Sequence, residues 1–307
     1  MSHIYISQCN DPYLNLAFEN WLFQNKAQEH PILFLWQNKP CIIIGRAQNP
    51  WLECDLTELE KDGVDVIRRQ SGGGTVYHDL GNLNYTFICP NTHYDKQKNL
   101  QTVIDALSQL NIKAQISPRN DIIVKDKSGE TRKVSGCAFR ETKHKSFHHG
   151  TLLINADTSN LIRYLHHKQD QGIDAKGVAS VRSKVINLSE LNQNTDIKTY
   201  INALTLSFEN NFSVEKSSEI KMIQANDIQH LSLEEDVKTL HSWEWQFGKT
   251  LPFEYTLQLQ DTTLVLSVKK GHIQDSHLTQ GQLSPTQEEW LKSQPRYTHN
   301  LPLENLT

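Results

Sequence analysis

The 307-residue sequence lacks any long apolar run. Ile32–Trp36 and Cys41–Ile44 are its longest, far short of the ~20 residues a membrane-spanning helix needs. After Met1-Ser-His-Ile-Tyr-Ile there is no basic segment leading into an apolar one, so no secretory signal is expected. Cysteine is sparse: Cys9, Cys41, Cys54, Cys89 and Cys137 are odd in number and scattered, with no C-x-x-C. That pattern suits reduced thiols in a cytosol better than a disulfide framework. A basic excess is also missing. With 31 Lys+Arg against 35 Asp+Glu the net charge is −4, which argues against a general nucleic-acid binder. No repeat or low-complexity tract occurs. What remains is a chain expected in the cytoplasm, long enough for one large domain or two smaller ones and for a substantial core.

The pattern along the chain alternates strands with helices. A helix is expected from about Tyr13, with Leu14, Phe18, Trp21 and Leu22 sharing a face. Ile32–Trp36 and Cys41–Ile44, broken by Asn38-Lys-Pro40, read as a hairpin in a buried sheet. Asp55 is placed as the cap of a helix over 55–61, Asn99 as the cap of one carrying Val103, Leu107 and Leu110, and Asp157 as the cap of one carrying Leu161, Ile162 and Leu165. Residues 64–67, 75–78, 84–89, 121–124, 132–140 and 151–155 read as strands. A further helix carries Ile201, Leu204, Phe208 and Phe212. Strands in hairpin-like groups among helices predict an α+β fold. The composition shifts near 234–245, which sets a boundary between residues 1–245 and a small unit at 246–307.

Four segments carry chemistry. In Arg68-Arg-Gln-Ser-Gly-Gly-Gly-Thr-Val-Tyr-His78 three consecutive glycines bare the backbone N–H groups, and two arginines add charge suited to phosphate or carboxylate. The alternative is a plain turn between strands; the flanking arginines favour an anion site. Arg119-Asn120-Asp121 precedes Lys133-Val-Ser-Gly136, where strand alternation would put Lys133, Ser135 and Cys137 on one face. A lysine aimed inward needs an anion, either a ligand or a structural partner such as Asp121. In Phe147-His148-His149-Gly150 the neighbouring histidines face opposite ways, so one packs in the core and one reaches a site. The doublet His166-His167 reads as solvated surface near a helix end. Lys176-Gly-Val-Ala-Ser-Val-Arg182 is a basic loop, which either closes over a nucleotide or merely connects two elements.

Taken in order, these motifs resemble lipoate–protein ligase A of the bacterial type. The matching stretches are Arg68 to Asn82, Arg119-Asn-Asp121, Arg132-Lys-Val-Ser-Gly136, Phe147-His-His-Gly-Thr-Leu-Leu153, Lys176 to Arg182 and Ser242-Trp-Glu-Trp-Gln-Phe-Gly248. The resemblance implies a biotin/lipoate-protein-ligase-like catalytic domain, with mixed sheets and flanking helices, plus a C-terminal accessory domain. It implies activation of free lipoate by ATP and Mg2+ to lipoyl-AMP with release of pyrophosphate. Transfer to a lysine of lipoyl domains follows, those of 2-oxoacid dehydrogenase E2 subunits and glycine-cleavage H protein. A monomer is expected, with no nucleic-acid or membrane partner.

By the same resemblance Lys133 is the catalytic lysine, bridging carboxylate and phosphate. Arg69, Gly74, Thr75, Val76, Tyr77, Asn120 and Asp121 are assigned with it to ATP, and Asp121 to Mg2+. Ser71, Gly72, Gly73 and His149 join Lys133 in holding lipoate. Lys176, Gly177, Val178, Ala179, Ser180, Val181 and Arg182 form the adenylate-closing loop. Two departures stand out. Cys137 occupies a place where the family carries a small polar residue. Related octanoyltransferases use a cysteine nucleophile, but the position nearest theirs is Ser146, so Cys137 reads as passive. Similarity fades after about His277, which implies a shortened accessory domain. A transferase using preformed lipoyl-AMP and a non-catalytic lipoyl-domain binder are the competing readings.

Overall fold

The computed structural model describes residues 3–27, 30–165, 172–175, 180, 183–192, 196–212, 218–298 and 301–305. A six-stranded mixed sheet forms the centre, in the order Cys137–Glu141, Lys145–Leu153, Asn82–Pro90, Ile32–Trp36, His3–Ser7, Glu219–Ile223. His3–Ser7 runs parallel to both neighbours, and the remaining pairs are antiparallel. Both faces are covered, which explains the unbroken apolar run of Ile32–Trp36. Phe34 and Trp36 pack with Phe18, Leu22 and Phe23 of helix Pro12–Asn25 on one face. Leu33 and Leu35 face Leu100, Val103, Leu204 and Phe208 from helices Lys96–Gln109 and Ile197–Phe212 on the other.

Local chemistry starts these helices. Asp11 accepts the amides of Tyr13 and Leu14 ahead of Pro12, and Asp55 and Asp157 cap Leu56–Asp62 and Thr158–Tyr164 in the same way. Asn99 is not a cap. Asp95 caps Lys96–Gln109, and Asn99 lies one turn in, fully buried.

Ile32–Trp36 and Cys41–Ile44 are not a hairpin either. Cys41–Ile44 belongs to a separate three-stranded sheet between Asp65–Arg68 and Val76–His78. Both runs are buried on both faces, so alternation carried no sign of which strand each would pair with. The turn between them is tied to the first helix, where Asn15 donates to Gln37 O and to Asn38 Oδ1.

The stretch 132–140 is also divided. Thr131–Ser135 pairs with Ile122–Lys125 in a third small sheet, whereas Cys137–Glu141 is the edge of the large one. Gly136 is the switch point, its carbonyl accepting the amide of Thr151. Lys133, Ser135 and Cys137 therefore do not share the face of one strand.

A fourth sheet takes Ile173–Ala175 together with Phe253–Leu259, Thr262–Lys269 and His272–Gln280. Its core of Phe253, Leu264, Leu266, Val268, Leu291 and Tyr297 also includes Trp51. Helix Pro285–Lys292 closes it, opened by a Ser284–Gln287 capping box. Strand His272–Gln280 escaped sequence reading because only Ile273 of its nine residues is buried. Among the described residues no helix is long and apolar enough to cross a membrane.

Candidate active site

A cleft of about 970 Å³, open to solvent, lies where the large sheet meets two of the small ones. Its lining divides by chemistry. Leu16, Trp36, Ile43 and Val76 supply apolar surface, while Arg119, Asp121 and Lys133 supply charge. Such a division suits a ligand with an apolar body and an anionic end.

Lys133 is about three quarters buried, and its Nζ lies 2.8 Å from Asp121 Oδ1. The lysine thus both meets a structural partner and faces the cleft. Its backbone is clamped, since the amide donates to Lys184 O and the carbonyl accepts from Ile186 N. Asp121 closes a tight turn with Ser117, in which Asn120 adopts φ 65°. Asn120 does not line the cleft. Its carbonyl accepts the Cys137 thiol at 3.2 Å.

The glycine segment is built from within by its arginines. Arg69 donates Nε to Ser71 Oγ at 2.8 Å, and its terminal nitrogens to the carbonyls of Ile43, Gly72 and Gly74. Burial pushes its pKa down to about 10, which still leaves it cationic at neutral pH. Arg68 is fully buried, with no carboxylate in contact among the described residues. It donates to the carbonyls of Gly45, Arg46 and Gln48 and to those of Trp245 and Gln246. The arginine pair is therefore spent largely on backbone. Of the two, Arg69 lines the cleft and Arg68 does not. Gly73 adopts φ 80°, and its carbonyl lies only 2.1 Å from where a Cβ on Gly45 would stand. The amides of Gly72, Gly73 and Gly74 make no hydrogen bond to another described residue. The Thr75 amide is taken by Ser180 Oγ at 2.9 Å, and that hydroxyl donates to the buried Glu53 carboxylate.

Strand alternation divides Val76–His78. Val76 and His78 line the cleft, whereas Tyr77 turns away to pack with Ile42, Ile44, Leu59 and Tyr164. Tyr77 can offer the cleft only its backbone. Ser71 and Gly72 are likewise behind the lining, with Ser71 buried against His149. The histidine doublet separates by face. His149 lines the cleft, its ring bonded to Ser71 Oγ at 2.7 Å and Glu19 Oε1 at 2.8 Å. His148 is fully buried among Tyr85, Phe87 and Phe139, and neither ring nitrogen finds a partner among the described residues. Burial lowers its pKa to about 3.

Cys137 lines the cleft, and burial raises its thiol pKa to about 12, so it is held as a neutral thiol. Ser146 donates to Asn91 away from the cleft. Of the loop 176–182, only Ser180 lies within the described residues, as does neither histidine of the 166–167 doublet. The sequence reading missed Glu19, Trp36, Gln48, Glu53 and Asn84. Glu19 alone left a signal: a carboxylate one turn after Leu16 and before Leu22 on an otherwise apolar helix face.

Mixed sheets with flanking helices around this cleft, followed by a C-terminal sheet, are the biotin/lipoate-ligase-like fold. Residues 11–209 match the model of the lipoyl protein ligase A/B catalytic domain. The chain belongs to that family, and it is a ligase enzyme. Lipoate-protein ligase A of Blochmanniella pennsylvanica (strain BPEN) is 35% identical over 322 residues, covering 96% of this chain and 94% of that one. Among solved structures, LipL1 of P. falciparum in complex with lipoate is 33% identical. It has a TM-score of 0.69 and covers 97% of this chain and 91% of that one. A lipoate-protein ligase A bound with ATP shares the fold at 22% identity, with a TM-score of 0.65, over 81% of this chain and 100% of that one.

Proposed function

We propose that this enzyme joins free lipoate to protein in two steps, using ATP to form lipoyl-AMP and then passing the lipoyl group to a lysine of a lipoyl domain. The observation that carries the reading is Lys133. Its ammonium reaches into a cleft that is apolar on one side and, on the other, bordered by Gly74, whose amide has no partner among the described residues. Lipoate is an apolar chain ending in a carboxylate, so it matches both parts of that lining. Carboxylate and α-phosphate repel as they approach, and a fixed cation between them lowers the barrier. Lys133 supplies that cation and, with Asp121 beside it, is held ready without rearrangement.

In this reading the Gly74–Val76 backbone receives nucleotide phosphate, while Ser71, Gly72, Gly73 and His149 shape the lipoate wall. Arg69 acts by holding the glycine carbonyls inward so that the amides face out. The relatives' names support the substrates: one is solved with lipoate and another with ATP. Among the described residues no group of three His, Cys, Asp or Glu stands ready for a metal. Among the described residues Asp121 is the one carboxylate lining the cleft, which fits Mg2+ arriving on the nucleotide's phosphates rather than a resident ion. There the ion supplies charge neutralisation. The acceptors are the lipoyl domains of 2-oxoacid dehydrogenase E2 subunits and of glycine-cleavage H protein. The enzyme works as a cytoplasmic monomer, with residues 246–307 as its accessory unit.

The test is intact mass of a purified lipoyl domain after incubation with this enzyme, MgATP and free lipoate. An ATP-dependent lipoyl gain that is lost when the acceptor lysine is replaced supports both half-reactions. Gain only from preformed lipoyl-AMP would favour the transferase reading, and no gain from either would refute both.

A further inference from the structure

Glu19 is a carboxylate 3% exposed, in the middle of helix Pro12–Asn25, with no cation in contact among the described residues. Charges are not left in such places without a reason. Its Oε1 accepts from Thr86 Oγ1 at 2.7 Å and faces His149 Nδ1 at 2.8 Å. Thr86 in turn accepts from Trp36 Nε1 at 3.2 Å. On the far side His149 Nε2 meets Ser71 Oγ at 2.7 Å, and Ser71 accepts from Arg69 Nε at 2.8 Å.

Both ends of this chain are donors only, since neither an indole N–H nor a guanidinium can accept. The direction of every link follows from that. Trp36 fills a lone pair of Thr86, so the Thr86 proton goes to Glu19. Arg69 fills one lone pair of Ser71, and His149 Nε2 is the acceptor its hydroxyl meets among the described residues, so the Ser71 proton goes there. That nitrogen must then be bare, and the imidazole proton sits on Nδ1, donated to Glu19. The opposite tautomer would turn a bare Nδ1 lone pair toward the Glu19 carboxylate, which can only accept, and leave the Ser71 hydroxyl without an acceptor in this chain. A doubly protonated ring would leave the Ser71 hydroxyl without an acceptor in this chain.

We propose that Glu19 is a positioning residue. By accepting from His149 Nδ1 it selects the tautomer that draws the Ser71 hydroxyl inward, which anchors the glycine segment to the wall where His149 meets the ligand. It also balances the buried Arg69 charge across two neutral groups, while the carboxylate itself stays behind the cleft lining, where it does not repel a ligand carboxylate. The kinetic consequence rests on the ligase reading; the tautomer does not.

The first experiment is a long-range 15N–1H spectrum of the histidine rings in the full chain at neutral pH, with His149→Gln for assignment. The expected pattern is a protonated Nδ1 and a bare Nε2 for His149. Protonation at Nε2 alone, or at both nitrogens, overturns the proposal whatever the enzyme's activity. The second compares Glu19→Leu with Glu19→Gln, in which the amide oxygen still accepts. Losing one buried acceptor is expected to raise the lipoate KM roughly tenfold in Glu19→Leu, with kcat changed less. Glu19→Gln restores KM and keeps the Nδ1 signal. Equal KM in both variants, with the wild-type ring signal retained in Glu19→Leu, would show that Glu19 only fills space. Should neither the wild type nor any variant lipoylate a lipoyl domain, the ligase reading fails and the ring spectrum still decides the tautomer.

Discussion

A Cβ on Gly136 would stand 2.9 Å from Lys133 Nζ, although three residues and a change of sheet separate the two in the chain. The side chain of Lys133 therefore crosses over the backbone of Gly136, in space that any larger residue would occupy. Gly136→Ala is expected to shift the ammonium rather than unfold the protein, because the obstructing atom ends a flexible side chain. Displacement of a positioned group by about 1 Å costs up to ~10²-fold in rate. Lipoylation kinetics beside a thermal melt measure both; a lower melting temperature with normal kcat would contradict this.

Lys133→Ala removes the cation itself. Loss of a single transition-state donor costs ~10²–10³ in kcat. Lys133→Arg should not restore it, since a planar fork cannot take the place of a compact ammonium beside Asp121. Single-turnover formation of lipoyl-AMP is the readout, and near-normal formation by Lys133→Ala would remove the residue from the mechanism.

Cys137 is expected to be chemically quiet despite lining the cleft. With its pKa near 12, the thiolate fraction at pH 8 is on the order of 10⁻⁴. Iodoacetamide should modify it slowly, about tenfold faster per pH unit up to that value, and Cys137→Ser should retain lipoylation. Rapid labelling at pH 7, or an inactive serine variant, would reopen a thioester route.

His148 and His78 are both buried with pKa lowered to about 3 from 6.5, in each case mainly by burial. The unfolded chain binds these protons more readily than the folded one. Stability is therefore fully present above pH 6.5 and is lost progressively from there down to about 3. Each histidine adds a slope of about 1.4 kcal/mol per pH unit within that window. Urea melts at pH 7.5, 6 and 5 test this, and His148→Phe should flatten the slope by one histidine's share.

Arg68→Met strips its hydrogen bonds from the carbonyls of two chain segments at once, 45–48 and 245–246. Breaking such a buried set costs about 3–5 kcal/mol. A urea midpoint close to wild type would mean that water can replace the guanidinium there.

Much of this was readable from the chain because the signals were local. Asp55 and Asp157 do act as helix starts, and Gly74, Lys133 and His149 do lie around one cleft. What escaped depended on partners distant in sequence. Pairing of Ile32–Trp36 with Asn82–Pro90, rather than with its chain neighbour, is invisible when both faces of a strand are buried. The arginines beside the glycines looked available for phosphate because nothing local revealed the carbonyls that claim them. Glu19 was passed over because one carboxylate within an apolar helix acquires meaning only once His149 is opposite it.

Strand Ile173–Ala175 joins the C-terminal sheet alongside Phe253–Leu259, while Trp51 enters that sheet's core from the opposite direction in the chain. The consequence is topological. A cut of the gene at residue 246 would not yield two self-sufficient pieces: the shorter fragment would expose the flank of its first strand, and the longer would keep a three-residue strand and a tryptophan without their seats. The catalytic portion thus carries the docking template for its own appendage, so the two halves, supplied as separate polypeptides, should recognise each other without a covalent linker.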